Sequence, residues 1–124
     1  MTSTVLKDRT KQFALNVIFC LRTIKSDEET RVIKTQLIRS VTSVAANYRA
    51  ACRARSVREF YSKMCIVVEE IDETELWLDI LTSIQANPKT ELVALSSEAN
   101  ELISIFVKAK KTTAEKLTSK PPNS

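Results

Sequence analysis

The stretch QLIRSVTSVAANYRAACRARSVREF, residues 36–60, combines an apolar stripe, many small side chains, one Asn and a dense set of arginines. Its apolar residues recur at spacings of four, three, four and four, which places them on one face of a helix: Leu37, Val41, Val44, Tyr48 and Cys52. Ala and Ser residues surround this stripe and leave room for a neighbouring helix to approach. The stretch therefore predicts an amphipathic helix that packs closely against other helices.

The composition of the 124-residue chain also favours an all-α domain. Hydrophobic residues make up 44% of the chain and charged residues 27%, which is typical of a globular protein. The absence of Gly argues against the hairpins and left-handed turns of a β-rich fold. The first residues lack the apolar segment of a signal peptide, and no apolar run reaches the ~20 residues that a membrane span needs. We therefore expect a cytoplasmic protein without a membrane partner.

The cysteines and the missing histidines limit the chemistry that this chain supports. Cys20, Cys52 and Cys65 fall on apolar helix faces, without a second Cys or a His at metal-ligand spacing. We expect them to be small buried residues of a protein in a reducing compartment. The sequence contains no Gly-rich phosphate loop and no evident nucleophile–base pair. We therefore predict a protein that is not an enzyme and that uses no cofactor.

Apolar residues spaced by three and four positions predict four helices, over residues 4–24, 28–54, 57–86 and 89–117. The third helix has the longest such pattern, with a seam of Val57, Phe60, Met64, Val67, Ile71, Thr74, Leu78 and Leu81. The connectors are too short for a crossover, which predicts an antiparallel up-down-up-down four-helix bundle. This single domain covers residues 1–117, and residues 118–124 are expected to form a frayed tail.

Capping residues locate the breaks between the predicted helices. Ser26 or Asp27 is placed to cap the second helix, and the sequence Ser56-x-x-Glu59 has the form of a capping box. The box predicts a break near Arg55, whereas a continuous helix that bends there is the alternative.

The third predicted helix also has apolar residues outside its main seam. Ile66, Leu76, Trp77 and Ile80 form a second face, which one bundle does not need to bury. We therefore expect other copies of the chain to cover this face.

A set of residue types at fixed positions resembles a known protein family. On the second predicted helix the set is Gln36-Leu37, Arg39-Ser40 and Ser43-Val44-x-x-Asn47. It continues with Ser56-x-x-Glu59-Phe60 and Glu69-Glu70-x-x-Glu73-Thr74. This pattern is similar to that of the four-helix-bundle proteins encoded in 23S rRNA intervening sequences. Many members follow the Asn with an acidic residue and Gly, whereas this chain has Tyr48-Arg49-Ala50-Ala51, which is more basic.

The resemblance implies a small all-α bundle that assembles into a ring, typically a pentamer. Accessory proteins of diversity-generating retroelements are distantly similar, and they bind nucleic acid and a reverse transcriptase. The implied partners are therefore other copies of the chain, RNA or DNA, and a reverse transcriptase or another protein. The resemblance implies no catalytic residues.

Five arginines of the central stretch are the candidate nucleic-acid-binding residues: Arg39, Arg49, Arg53, Arg55 and Arg58. Four of them lie within residues 49–58, which contain no acid, and such a patch holds phosphates by charge-assisted hydrogen bonds. Lysines of the fourth helix are placed to extend it: Lys108, Lys110 and Lys111. The alternative is a solvated helix end whose arginines pair with acids. Tyr48 and Tyr61 are predicted to be core residues rather than platforms for bases.

Six acidic residues and no basic residue lie within residues 69–79: Glu69, Glu70, Asp72, Glu73, Glu75 and Asp79. Like charges one helical turn apart repel each other, so we expect this face to meet arginines of the second helix, in the same chain or the next. A carboxylate-bridged metal pair is the sharper alternative. Ferritin-like sites use Glu-x-x-His motifs, however, and His is absent, so no metal site is predicted.

A lone Asn, Asn47, lies on the core-facing helix, where a polar group is costly to bury unless it is hydrogen-bonded. We expect a structural role, with a partner on the third helix among Glu70, Glu73 and Thr74. Contact with a ligand is the alternative.

Two functions fit these patterns, and the net charge of +4 permits an anionic partner without requiring one. The first is a nucleic-acid-binding accessory protein that uses the Arg-rich patch. The second is a protein-interaction scaffold whose Arg and Glu sets pair within and between subunits, with no nucleic-acid role.

Overall fold

The computed structural model of the protein describes residues 1–119 and shows four helices in antiparallel order. They are α1 (Ser3–Arg22), α2 (Glu28–Cys52), α3 (Val57–Ile84) and α4 (Thr90–Thr118). The predicted up-down-up-down bundle is confirmed, and the described part of the chain contains no strand. Thr118, which the sequence assigned to the frayed tail, is the last residue of α4. The final part of that predicted tail, residues 120–124, lies outside the described residues.

The helix ends differ slightly from the predicted ones because two helices finish in a tighter turn. After α1, the amide of Ile24 donates to Leu21, and after α2 the amide of Ala54 donates to Ala51. These i→i+3 bonds form one 3₁₀-like turn rather than a further α-helical turn. Ile24 and Ala54 therefore lie just beyond the helices to which the apolar pattern assigned them.

The predicted break before α3 is confirmed, and the continuous bent helix is wrong. Ser56 is the N-cap of α3, and its Oγ accepts from the amide of Glu59 at 3.0 Å. The Glu59 carboxylate accepts in turn from the amide of Arg55 at 3.4 Å. Asp27, rather than Ser26, caps α2 by accepting from the amide of Thr30 at 2.9 Å. No described residue has a positive φ, so these turns need no Gly.

The core lies between the four helices, to which each contributes one apolar stripe. Its largest fully buried side chains are Phe13, Val17, Leu37, Val41, Val44, Met64, Ile71, Leu78, Leu81, Leu92, Leu102 and Phe106. Tyr48 is buried as predicted, with its ring centroid 5.2 Å from that of Phe106. The predicted seam of α3 is buried from Met64 onwards, but Val57 is 47% exposed because it starts the helix at the end of the bundle.

A hydroxyl pair supplies the buried polar contact between α2 and α3. Thr74 Oγ1 lies 2.9 Å from Ser40 Oγ, and both residues are fully buried. The prediction that Asn47 has its hydrogen-bond partner on α3 is wrong. Asn47 is only half-buried at the edge of this interface, where its amide reaches the preceding turn of α2 and donates to the Ser43 carbonyl at 2.9 Å.

Within residues 1–119, no helix has both the length and the apolar character needed to cross a membrane.

Candidate nucleic-acid interface

The antiparallel order of the helices gathers basic residues at one end of the bundle, which we call the basic end. It comprises residues 1–12, 45–63 and 105–119, which are the start of α1, the α2–α3 turn and the last turns of α4. Three acidic residues lie there against twelve basic ones: Lys7, Arg9, Lys11, Arg49, Arg53, Arg55, Arg58, Lys63, Lys108, Lys110, Lys111 and Lys116. The charge of Arg9 is already paired, with Glu98 and Glu101 on the adjoining turns of α4. In the rest of the described chain, twelve acidic residues outnumber six basic ones. A mildly basic protein is thus strongly polarised along its axis.

Four of the five predicted arginines surround the α2–α3 turn at this end. Arg49 lies in the last turn of α2, Arg53 is its C-cap, Arg55 lies in the turn and Arg58 in the first turn of α3. All four side chains are exposed. Of these four arginines, only Arg55 has a carboxylate of the described chain within reach, that of Glu59 at 4.0 Å. An exposed pair of this kind contributes little to stability. The positive charges of the four arginines therefore face solvent.

Arg39 lies apart from the other four arginines. It precedes Arg49 by ten residues, or about 15 Å along α2. Its guanidinium pairs across to α3, with Glu73 and with Glu70, the latter at 3.4 Å. For Arg39 the structure thus shows the pairing between the second and third helices that we expected of the acidic set. Glu69, in contrast, is exposed, with no basic group within 4.0 Å in the described chain.

Glu73 joins Arg39 to the indole of Trp77, whose Nε1 donates to Glu73 Oε1 at 3.2 Å. The hydrogen bond from Arg39, helped by that from Trp77, lowers the pKa of Glu73. Because the folded pKa lies below the unfolded one, this network stabilises the fold at pH values above the unfolded pKa. Its contribution is lost as the pH falls through the folded pKa.

This network predicts a fluorescence transition in acid. Trp77 is the only Trp of the chain, and we expect its emission to change with a midpoint below about pH 4.3, the ordinary value for Glu. The change Glu73→Gln should remove the transition, since the side chain no longer titrates. Asp72→Asn, at the exposed neighbouring position, should leave it in place. An unchanged transition in the Glu73→Gln protein would contradict this assignment.

A groove of about 450 Å³ lies between α1 and α2 at the basic end. Its lining comprises Lys7, Asp8, Lys11, Thr42, Ala45, Ala46 and Arg49. The two lysines of α1 thus come together with Arg49 of α2, which the sequence did not reveal. The one local signal is that Lys7 and Lys11 are one helical turn apart on the polar face of α1.

A second groove, of about 530 Å³, lies between α1 and α4, away from the basic end. Its lining is mainly apolar and includes Phe13, Phe19 and Leu95. Cys20 also lines it, and burial raises the pKa of the Cys20 thiol, which makes it a poor nucleophile at neutral pH. This groove presents no basic side chain and is not part of the candidate interface.

The profile of the 23S rRNA-intervening sequence protein family matches residues 3–108. The chain belongs to this family. A similar fold is found in the crystal structure of a protein of unknown function from the S23 ribosomal protein family of Bacteroides thetaiotaomicron VPI-5482. The two share 27% sequence identity and a TM-score of 0.79, over 90% of this chain and 99% of the other. A search of curated proteins found no match. The family resemblance of the central stretch is thus confirmed.

The part matched by the 23S rRNA-intervening sequence family includes most of the basic end. It covers the lysines of α1 that line the groove and the four arginines around the α2–α3 turn. Lys110, Lys111 and Lys116 of α4 lie beyond residue 108, where the match ends.

Proposed function

We propose that this family member is a non-enzymatic, nucleic-acid-binding accessory protein whose basic end contacts phosphate groups. The observation that supports this role most strongly is the separation of charge along the bundle, with twelve basic and three acidic residues at one end. A nucleic-acid backbone is a polyanion, and clustered Lys and Arg side chains bind it by displacing its counterions. A cytoplasmic location is part of the proposal, and the three free cysteines are compatible with it.

The arginines at the α2–α3 turn are well suited to phosphate contacts. Each guanidinium presents donors in a planar fork, which matches two phosphate oxygens at once. Arg49, Arg53 and Arg58 have no carboxylate within 4.0 Å in the described chain, so a phosphate does not have to displace an internal partner. Contacts of this kind position a nucleic acid without reading its sequence.

A salt titration tests the proposal. We expect fluorescence anisotropy of labelled RNA and DNA to show binding whose affinity falls steadily between about 50 and 200 mM salt. Four arginine contacts alone contribute about −3.6 to the slope of log affinity against log salt for duplex DNA, and less for single strands. Absence of binding at the lowest salt, or an affinity that does not respond to salt, would rule out this function.

The second part of the proposal is that several copies of the chain assemble. The family resemblance implies a pentamer. Assembly is supported by apolar side chains on the outer side of α3: Ile66 is 37% exposed, Leu76 49% and Ile84 43%. Trp77 and Ile80 adjoin them and are only half-buried. An assembly would present several basic ends to one strand and raise its affinity by multivalency. Light scattering at micromolar concentration checks this, since a mass of 14.0 kDa would mean a monomer.

A protein-interaction scaffold is the second candidate function. It is supported by the Arg39 pairs with Glu70 and Glu73, which show that the Arg and Glu sets are sterically able to meet. Asp72 and Asp79 are exposed and remain available to arginines of another copy. This function predicts that Arg53→Glu disrupts assembly in light scattering, and that the protein has no affinity for nucleic acid at physiological salt.

A further inference from the structure

We propose that the groove between α1 and α2 holds backbone phosphates of the bound nucleic acid, with Lys7, Lys11 and Arg49 as the binding residues. This inference rests on the proposed function and specifies where on the basic end the polyanion lies. It also assigns a role to α1, which the arginine pattern of the sequence did not include.

The geometry of the groove suits a small anion. Lys7 and Lys11 stand one turn apart on α1, about 6 Å along its axis, and Arg49 stands on the opposite wall. Ala45 and Ala46 line the α2 side, where their short side chains leave space between the three cations. A phosphate is therefore able to enter the groove rather than meet only the tips of the basic side chains.

The charge of the groove also suits a polyanion. Within residues 1–119, none of its three cations has a carboxylate within 4.0 Å. Asp8 is the one acidic residue in the lining, and it reduces the formal charge of the groove to +2. Because each backbone phosphate carries one negative charge, the net charge of +2 balances two of them.

A comparison of two double variants tests this location. The first, Lys7→Gln with Lys11→Gln, removes two charges from the groove. The second, Lys108→Gln with Lys111→Gln, removes two exposed charges from α4 at the same end but outside the groove. At about 0.1 M salt we expect the groove variant to bind labelled RNA about 30- to 60-fold more weakly, with a salt slope shallower by about 1.4 to 1.8. The α4 lysines belong to the basic end but lie outside the groove, so the α4 variant should also lose affinity, by a factor at least about fivefold smaller than that of the groove variant.

Two single substitutions separate the groove from the general field of the basic end. Ala46→Phe fills the groove without changing any charge, and since Ala46 is exposed the larger ring needs no space in the core. We expect it to weaken binding about tenfold, an estimate that corresponds to the loss of about one phosphate contact. Asp8→Asn removes the opposing carboxylate and should tighten binding several-fold. Circular dichroism and thermal unfolding check that each variant is folded. If Ala46→Phe does not fold, the comparison of the two lysine variants tests the location of the site.

The outcomes distinguish this inference from the function on which it rests. Failure of the wild-type protein to bind RNA or DNA would overturn both. A second outcome is that reversal of the arginines at the α2–α3 turn abolishes binding, while the groove and α4 lysine variants weaken it equally. This result would overturn only the assignment of the groove as the phosphate site. A polyglutamate chain that binds as tightly as RNA, with the same response to the groove variants, would also overturn it in favour of an acidic protein partner.

Discussion

If the basic end is the interface, a charge-reversed variant should bind nucleic acid at least about 1,000-fold more weakly at about 0.1 M salt. This variant replaces four arginines by Glu: Arg49, Arg53, Arg55 and Arg58. At that salt concentration, each lost phosphate contact weakens binding by about five- to eightfold through counterion release, and four such losses multiply. The introduced carboxylates then repel the phosphates. Fluorescence anisotropy measures the affinity, and circular dichroism establishes that the variant remains helical.

The control for this variant reverses four basic residues at the other end of the bundle: Arg22, Lys25, Arg31 and Lys89. All four are exposed, and their replacement by Glu changes the net charge by the same amount. These residues and the α2–α3 turn lie at opposite ends of the bundle. Salt therefore screens most of the electrostatic effect of these residues on binding at the turn. We expect this control to lose no more than about tenfold in affinity. If the arginine variant stays folded and still binds, the site is wrong, and equal losses in both proteins would mean that only net charge matters.

The fold was predictable because its determinants are local in the sequence. The alternating spacings of three and four on α3 specify both a helix and the face that it buries, and Met64, Ile71 and Leu78 are buried as that spacing requires. The Ser56 cap acts through a bond to the amide three residues later, so the break before α3 was also visible. Both signals lie within a few turns of one helix and do not depend on how the helices pack.

The candidate site was predicted only in part because it depends on the register between helices. Arg39 and Arg49 occur in the same stretch, yet only Arg39 faces the acids of α3, which depends on how α2 and α3 align. The groove brings Lys7 and Lys11 together with Arg49 across about 40 positions of sequence. No spacing along the chain encodes such a contact, since it arises only once α1 and α2 lie antiparallel at one particular offset.

The same dependence on register explains the error at Asn47. An Asn beside a core stripe is expected to bond across the interface, but the buried hydrogen bond between α2 and α3 is made by two smaller side chains, Ser40 and Thr74. Asn47 lies about two turns further along α2, at the edge of that contact, and bonds to Ser43 of its own helix. Residue type predicted the need for a hydrogen bond, whereas only the packing decides which partner satisfies it.

Removal of the Phe106 side chain should destabilise the bundle far more than any substitution at its surface. Phe106 is fully buried, and its ring lies against that of Tyr48, which joins α4 to α2 near the basic end. Phe106→Ala deletes this contact and leaves a cavity, which costs about 3–5 kcal/mol. Proteins of this kind have a total unfolding free energy of about 5–15 kcal/mol, so the variant should unfold at a much lower urea concentration.

Val107→Ala is the matched control, because Val107 follows Phe106 on α4 but is 46% exposed. In an isolated chain this change should alter the unfolding free energy by no more than about 0.5 kcal/mol, and the better helix propensity of Ala favours it slightly. Urea unfolding of both variants should be compared at several protein concentrations, since assembly makes the stability depend on concentration. A loss below about 1 kcal/mol for Phe106→Ala would contradict its place in the core. A loss for Val107→Ala that grows with protein concentration would instead mean that a second copy covers Val107, which would place part of an assembly interface on α4.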